Sequence, residues 1–188
     1  MNKREITIAG FGGQGVLTMG LFLAHAGMNE GKKVLYVPSY GAEMRGGTAN
    51  CTVTISNKEI SSPVVPNPET VVVMNHPSLD KFEPLVKPGG NLLINASLVH
   101  REPRREDINT WVVPAQELAN EIGASRSSNL IMLGALLQSL PLIDNERIEV
   151  YLNKTFGGKY MDRLESNLAA INAGMKFVNE QEKKKTTA

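Results

Sequence analysis

The sequence predicts a single three-layer α/β domain, in which helices cover both faces of a mixed, largely parallel sheet. Three observations predict this fold. Short apolar runs alternate with segments of helical period, residues 5–37 form a strand, a helix and a strand, and one later segment alternates strictly between apolar and polar residues. A chain of 188 residues suits one domain. We assign residues 1–180 to it and residues 181–188 to a charged C-terminal tail.

The N-terminal segment is expected to form a Rossmann-like βαβ unit. The first strand runs from Glu5 to Ala9, and Gly10 ends it. The helix that follows begins at Val16 and places small and apolar residues on one face, which indicates close packing against a sheet. Residues 33–37 form the second strand, and a right-handed crossover between the two gives a parallel sheet.

A strand over residues 48–55 is expected to make the sheet mixed. Its apolar residues point one way and its threonines the other, as in a half-exposed strand. Turn-forming residues at 56–59 precede Ile60, so we expect an antiparallel hairpin there. Further buried strands are predicted at residues 70–74, 91–95 and 110–113, with short helices from His76 through Leu85 and from Pro114 through Ile122.

Two later segments leave alternatives open. The arginine-rich stretch 100–109 has nearly balanced charges and is interpreted as a solvated loop, with phosphate contact as the alternative. The helix that begins at Ser127 or Ser128 has almost no polar face, so either the centre of the fold or a partner must cover it. A final helix carries an apolar stripe and leads into a tail, residues 180–188, that is expected to fray. The stripe contains Tyr160, Leu164, Leu168, Ile171, Met175 and Val178.

Composition excludes several kinds of function. Twenty basic and nineteen acidic residues leave a formal charge of +1, which predicts no general attraction to nucleic acid or to a membrane surface. One cysteine excludes an internal disulfide and an iron–sulfur cluster held by this chain alone. The N-terminal residues contain no apolar run long enough for a signal peptide or a membrane span, so we expect a cytoplasmic protein.

A glycine loop at residues 10–15 matches the spacing G-x-G-x-x-G between a strand and a helix. A dinucleotide site needs a carboxylate at the end of the second strand, and residues 35–38 contain none. The lysine of a nucleotide-hydrolysing P-loop is also missing. Binding of a phosphate or another anion remains open, as does a tight structural turn or a subunit contact.

A second loop, residues 39–47, leaves the carboxyl end of the second strand, where open α/β sheets gather ligands. Its Glu43 and Arg45 are candidates to face the glycine loop, or else to form a surface ion pair.

Elsewhere we expect Cys51 to be a buried, inert thiol, and Asp80 and Glu83 to be acids on a helix surface. The three histidines are scattered without metal-ligand spacing, and the residues alone indicate no catalytic group.

Three segments taken together resemble the gamma subunit of the 2-oxoacid:ferredoxin oxidoreductases, in the pyruvate/ketoisovalerate oxidoreductase catalytic domain family. They are residues 10–16, residues 38–51 and residues 127–136. The run from Glu43 to Thr48 is similar to 2-oxoglutarate-type members, and Ala42 stands where a proline is usual.

The resemblance implies a part in the CoA-dependent oxidative decarboxylation of a 2-oxoacid to its acyl-CoA, with electrons passed to ferredoxin. Thiamine diphosphate and iron–sulfur clusters would lie in alpha and beta partner subunits, with a ferredoxin-like delta subunit as a further candidate. This chain would hold no cofactor or metal, would supply no catalytic residue and would be inactive alone. Its candidates for shaping the coenzyme A side of the site are Gly12, Gly13, Gln14, Gly15, Tyr40, Glu43, Arg45 and Gly46.

Two other functions remain as alternatives. The first is a stand-alone phosphate- or nucleotide-binding module, which the glycine loop alone would permit. The second is an NAD-dependent dehydrogenase, which the missing carboxylate after the second strand disfavours.

Overall fold

The computed structural model describes residues 3–41, 47–156 and 163–187. Six strands form one sheet in the order β2-β3-β1-β4-β5-β6. The strands are β1 Arg4–Phe11, β2 Lys33–Tyr40, β3 Thr48–Ser56, β4 Thr70–Val73, β5 Asn91–Asn95 and β6 Asn109–Val113. The helices are α1 Val16–Asn29, α2 His76–Phe82, α3 Ala115–Glu121, α4 Ser128–Ser139, α5 Ile148–Phe156 and α6 Leu164–Thr187. Short 3₁₀ turns follow α2 and precede α5.

The sheet is mixed and largely parallel, as predicted. The strand pairs β1–β4, β4–β5 and β5–β6 are parallel, whereas β3 is antiparallel to both β1 and β2. Because β3 lies between β1 and β2, the N-terminal βαβ unit is split rather than a pair of neighbouring parallel strands. The predicted hairpin through residues 56–59 is wrong, since residues 57–69 are all described and contain no strand. The antiparallel neighbour that follows β2 in the chain is β3 itself.

Two apolar clusters cover the two faces of the sheet and give the three predicted layers. On one face, side chains such as Ile8, Val72 and Leu93 pack against α1, α3, α4, α5 and α6. On the other face, Val71 and Leu92 pack with a smaller cluster that includes Leu79 of α2. Successive residues of the central strands therefore point to opposite faces of the sheet, and both faces are buried. These strands consequently need nearly continuous apolar runs.

Helix α4 belongs to the core of this single chain. The residues from Leu130 through Leu137 are all buried, against the sheet on one side and α6 on the other. The backbones of α4 and α6 touch, because a Cβ at Gly134 would collide with the Ile171 carbonyl and a Cβ at Gly174 with the Ile131 carbonyl. The centre of the fold thus covers this apolar helix, and no partner is needed to explain it.

The C-terminal and inter-helix segments differ from expectation. Helix α6 runs to Thr187, past the predicted boundary at residue 180, and the Gln181 amide donates to the Val112 carbonyl at 3.2 Å. This bond ties the last turns of α6 to β6. The short helix α5 had no clear sequence signal, yet its Tyr151 is fully buried and donates to Glu30 at 2.9 Å, beside the end of α1. Within the described ranges, no helix is both long enough and apolar enough to cross a membrane.

Candidate functional site

The glycine loop, residues 10–15, begins in the last two residues of β1 and leads into α1 at the carboxyl end of the parallel strands. Gly13 and Gly15 adopt φ angles of 99° and 74°, a left-handed conformation that favours glycine. Helix α1 starts directly after Gly15 with no side-chain cap and no acid in its first turn. The loop therefore presents the positive end of a helix dipole at an edge of the sheet where ligands commonly bind.

The side chain of Gln14 holds this loop from within. Its Oε1 accepts hydrogen bonds from the Phe11 N–H at 2.6 Å and from Asn75 Nδ2 at 3.2 Å, and its Nε2 donates to the Met74 carbonyl at 3.3 Å. Asn75 is buried and also caps α2 by accepting from the Ser78 N–H at 2.9 Å. The carboxamide of Gln14 is consequently engaged with the protein, whereas Gly13 is exposed.

The second loop meets the glycine loop at the same edge. The Gly12 N–H donates to the Gly47 carbonyl at 2.9 Å, and the Gly41 N–H donates to the Thr48 carbonyl at 3.2 Å. Tyr40, the last residue of β2, leaves 56% of its surface exposed there. The structure thus brings Gly12 to Gly15 and the base of the second loop together. Three further candidates in that loop lie outside the described residues, namely Glu43, Arg45 and Gly46.

The start of α4 closes against the glycine loop. A Cβ placed on Gly15 would lie only 2.5 Å from the side-chain Nδ2 of Asn129, so the two residues are in direct contact. The segment that begins at Ser127 therefore reaches the first loop, and the three segments of the resemblance come together in the fold. Asn129 was not among the predicted site residues. Its position in the third of those segments was the only signal for it.

Two other sequence expectations have opposite outcomes. Cys51 is fully buried, its thiol donates to the Val16 carbonyl at 3.4 Å, and burial raises its pKa to about 12, which confirms the inert thiol. Glu83, predicted to be a surface acid, is only 2% exposed, so that prediction is wrong. It lies beneath the arginine-rich loop and accepts hydrogen bonds from that loop.

The buried Glu83 also changes the interpretation of residues 100–109. Its carboxylate accepts from the Arg101 guanidinium at 2.8 Å, from the Arg105 N–H at 3.0 Å and from the Arg104 N–H. Arg101 pairs further with Asp80 at 2.9 Å, and Arg105 pairs with Asp107. The loop is anchored rather than merely solvated. The alternative of phosphate contact loses two of its cationic side chains to these internal ion pairs.

Comparisons with known proteins place these features in a wider context. A family model described as pyruvate ferredoxin/flavodoxin oxidoreductase matches residues 5–177. The ketoisovalerate oxidoreductase subunit VorA of Methanothermobacter marburgensis is 40% identical over 172 residues, which cover 90% of this chain and 35% of VorA. The 2-oxoglutarate synthase subunit KorC of Methanocaldococcus jannaschii is 32% identical over 190 residues, with 96% of this chain and all of KorC covered. The chain spans about a third of the length of the VorA relatives.

Solved structures show the same fold. The gamma subunit of a keto/oxoacid ferredoxin oxidoreductase from Geobacter sulfurreducens superimposes with a TM-score of 0.78 at 25% identity, covering 94% of this chain and 99% of that one. The 2-oxoglutarate:ferredoxin oxidoreductase of Magnetococcus marinus, with 2-oxoglutarate, coenzyme A and succinyl-CoA bound, superimposes with a TM-score of 0.85 at 25% identity. That match covers 96% of this chain and 32% of that chain.

Proposed function

Because the chain belongs to the pyruvate ferredoxin/flavodoxin oxidoreductase family, we propose that it is the gamma subunit of a 2-oxoacid:ferredoxin oxidoreductase. The complex oxidatively decarboxylates a 2-oxoacid to its acyl-CoA and passes the electrons to ferredoxin. Thiamine diphosphate and iron–sulfur clusters lie in alpha and beta subunits, with a ferredoxin-like delta subunit as a further partner, and the assembly is cytoplasmic. The chain contains one cysteine, the buried Cys51, and an iron–sulfur cluster needs several thiolates. This supports the placement of the clusters in other subunits.

We propose 2-oxoglutarate as the substrate. The match to KorC subunits over their full length supports it, as does the run from Glu43 to Thr48. VorA is more similar in sequence, at 40% identity, but this chain covers only a third of it. Since the substrate pocket lies in the partner subunits, the 2-oxoacid preference belongs to the complex.

The contact between the two loops carries our proposal for what this subunit does. Gly12 to Gly15 and Tyr40 share one sheet edge, and the bond from Gly12 to Gly47 ties the loops together. The phosphate groups of coenzyme A suit a glycine loop at an uncapped helix start, and an arginine adds a forked, charged contact. We therefore assign the coenzyme A side of the site to both loops. We propose that the second loop contributes Tyr40, Glu43, Arg45 and Gly46 to it.

Arg45→Ala tests this assignment in the assembled complex. Titration with coenzyme A should show an affinity lowered about tenfold or more, because a hydrogen bond to a charged group contributes about 1.5–3 kcal/mol. Arg104→Ala is the matched control, since the Arg104 side chain is exposed on the loop anchored by Glu83. Coenzyme A affinity equal in the two variants would reject the role of Arg45.

A stand-alone phosphate-binding module is not favoured. The relatives that this chain matches from end to end are themselves named as subunits of 2-oxoglutarate synthase. Copurification separates the two functions. We expect the native protein to elute with partners that carry thiamine and iron–sulfur clusters, and elution alone would contradict the subunit assignment.

A further inference from the structure

The side chain of Gln14 occupies the gap between the carboxyl ends of β1 and β4. Helix α1 leaves β1 toward one face of the sheet, whereas α2 follows β4 toward the other face. Neighbouring strands whose connections diverge in this way leave a crevice at the sheet edge, where open α/β sheets commonly bind a ligand. Here a protein group lies in the crevice, since Gln14 Nε2 donates to the carbonyl of Met74, directly after β4.

Gly10 leaves the space that this side chain needs. A Cβ built on Gly10 would lie only 2.7 Å from Gln14 Oε1 and 2.9 Å from the Met74 Cβ. Gly10 lies within β1, in an extended conformation that any residue can adopt, so a glycine is needed there for space rather than for backbone freedom. The first glycine of the loop and the Gln14 carboxamide therefore pack as one unit.

Asn75 holds Gln14 from the interior of the protein. Its Oδ1 accepts from the Ser78 N–H at 2.9 Å and so caps α2, while its Nδ2 donates to Gln14 Oε1 at 3.2 Å. A helix cap needs only an acceptor, which aspartate or serine also provides. The additional donor of asparagine is the group that reaches Gln14. Because Asn75 is only 4% exposed, it joins α2 to the glycine loop without facing a ligand itself.

Gln14 passes this constraint to the backbone of the loop. Its Oε1 also accepts from the Phe11 N–H at 2.6 Å, at the point where β1 ends. Gly13 and Gly15 follow in left-handed conformations, and glycine residues have access to many others. A ligand binds only the fraction of molecules whose loop is in the competent conformation. Hydrogen bonds that hold one conformation therefore raise the affinity without touching the ligand.

We propose that Asn75 is a positioning residue for the coenzyme A side of the site, and that it acts through Gln14 to hold the glycine loop in its binding conformation. The inference rests on the proposed function, because it takes the glycine loop as part of that site. It also gives Gln14 a different role from the one expected from sequence. The Gln14 carboxamide serves the loop, and the backbone of the loop serves the ligand.

Asn75→Asp in the assembled complex tests this role. The variant keeps the oxygen that caps α2 but replaces the donor with an oxygen that repels Gln14 Oε1. We expect the Kd for coenzyme A to rise about fivefold or more, because fewer molecules hold the loop in the competent conformation. The KM for the 2-oxoacid should stay unchanged. Without coenzyme A, backbone hydrogen exchange of residues 11–15 should be faster than in the wild type.

Asn91→Asp is the matched control. Asn91 is also buried, and its Nδ2 donates to Thr70 Oγ1 at 3.3 Å while its Oδ1 accepts from Asn109 Nδ2 at 3.3 Å. It lies at the start of β5, at the opposite edge of the sheet from the glycine loop. This variant should lower the melting temperature but leave the Kd for coenzyme A unchanged. If Asn75→Asp does not assemble, Asn75→Ser, which keeps a neutral cap, replaces it.

A second variant tests whether Asn75 acts through Gln14. Gln14→Met keeps the length of the side chain and removes the carboxamide. The double variant Gln14→Met/Asn75→Asp should raise the Kd for coenzyme A no further than Gln14→Met alone, because the interaction that Asn75 supplies is already absent. Fully additive effects would contradict the proposed route.

The outcomes separate this proposal from the proposed function. Unchanged exchange of residues 11–15 in Asn75→Asp overturns the positioning role, as does an equal rise of the Kd in Asn91→Asp. Faster exchange with unchanged coenzyme A affinity also overturns it, and the proposed function stands if Arg45→Ala still weakens binding. If Arg45→Ala and Asn75→Asp both leave the affinity unchanged, the proposed function fails and the positioning role fails with it.

Discussion

Glu83 is a buried carboxylate that holds a surface loop in place. Burial favours its neutral form, but hydrogen bonds from the Arg101 guanidinium and from the N–H groups of Arg104 and Arg105 outweigh this and lower its pKa. Since the pKa is lower in the folded state than its ordinary value of 4.5, ionised Glu83 stabilises the fold above that pH. This stabilisation is lost as the pH falls through the depressed folded pKa.

Glu83→Gln should therefore lower the free energy of unfolding most at neutral pH. We expect a loss of about 1.5–3 kcal/mol there, because charged hydrogen bonds to a buried acid are replaced by neutral ones. The difference from wild type should shrink as the pH falls from 4.5 through the lower folded pKa, because protonation of Glu83 then removes the charge from the wild type. Urea unfolding of both proteins at several pH values measures this difference. Subtracting the two free energies of unfolding cancels the pH-dependent contributions of Glu5 and Glu30, which both proteins share. Glu106→Gln, an exposed acid of the same loop, is the control, and a pH-independent difference would contradict the prediction.

The burial of a single residue was predictable where the periodicity of its own strand or helix determines its surroundings. The alternation of β3 places Cys51 on its buried face, so its inertness followed from sequence. Glu83 and Asn129 were not predictable in the same way, because their environments come from distant segments. The Arg101 guanidinium lies eighteen positions from Glu83, and Asn129 meets a glycine at position 15. No helical or strand periodicity encodes such contacts.

At the scale of elements, the crossing of α4 and α6 shows what periodicity leaves undetermined. An all-apolar helix must be covered, but its sequence does not say by what. The answer depends on Gly134 and Gly174, two residues on different helices whose missing side chains let the backbones touch. The position of β3 is a similar case. The alternation of apolar and polar residues in β3 predicted a strand. Its place between β1 and β2 depends on backbone pairing with both of those strands, which the alternation does not specify.

Gly134→Ala tests the helix crossing. Intrinsic propensity favours alanine in a helix by about 1 kcal/mol, but the added Cβ would collide with the Ile171 carbonyl. Because a backbone atom cannot rotate away, α6 must shift, and we expect a net loss of about 1–3 kcal/mol in the free energy of unfolding. Gly41→Ala, where an added Cβ meets nothing within 4 Å, should be nearly neutral. Stabilisation by Gly134→Ala in a denaturant titration would show that the helices are not in contact as described.

At the scale of the whole molecule, the fold gathers segments that could not be placed together from their own sequence. The glycine loop, the base of the second loop and the start of α4 converge at one edge of the sheet, although they are far apart in the chain. The three-layer fold and the family were predictable, because strand–turn–helix patterns and family motifs are each contained in a short stretch of sequence. The convergence of the three segments followed only from the tertiary structure. In the proposed complex, this domain completes a site whose cofactors lie in partner subunits.

Reconstitution tests that role for the whole chain. The chain alone should reduce no ferredoxin, whereas its complex with alpha and beta subunits should do so only when both a 2-oxoacid and coenzyme A are present. If the match to KorC over its full length reflects substrate use, kcat/KM for 2-oxoglutarate should exceed that for 2-ketoisovalerate. The reverse order would favour the likeness to VorA and leave the subunit role intact. Partners that turn over 2-oxoacid and coenzyme A equally well without this chain would contradict the role itself, because the sheet edge built here would then contribute nothing to the reaction.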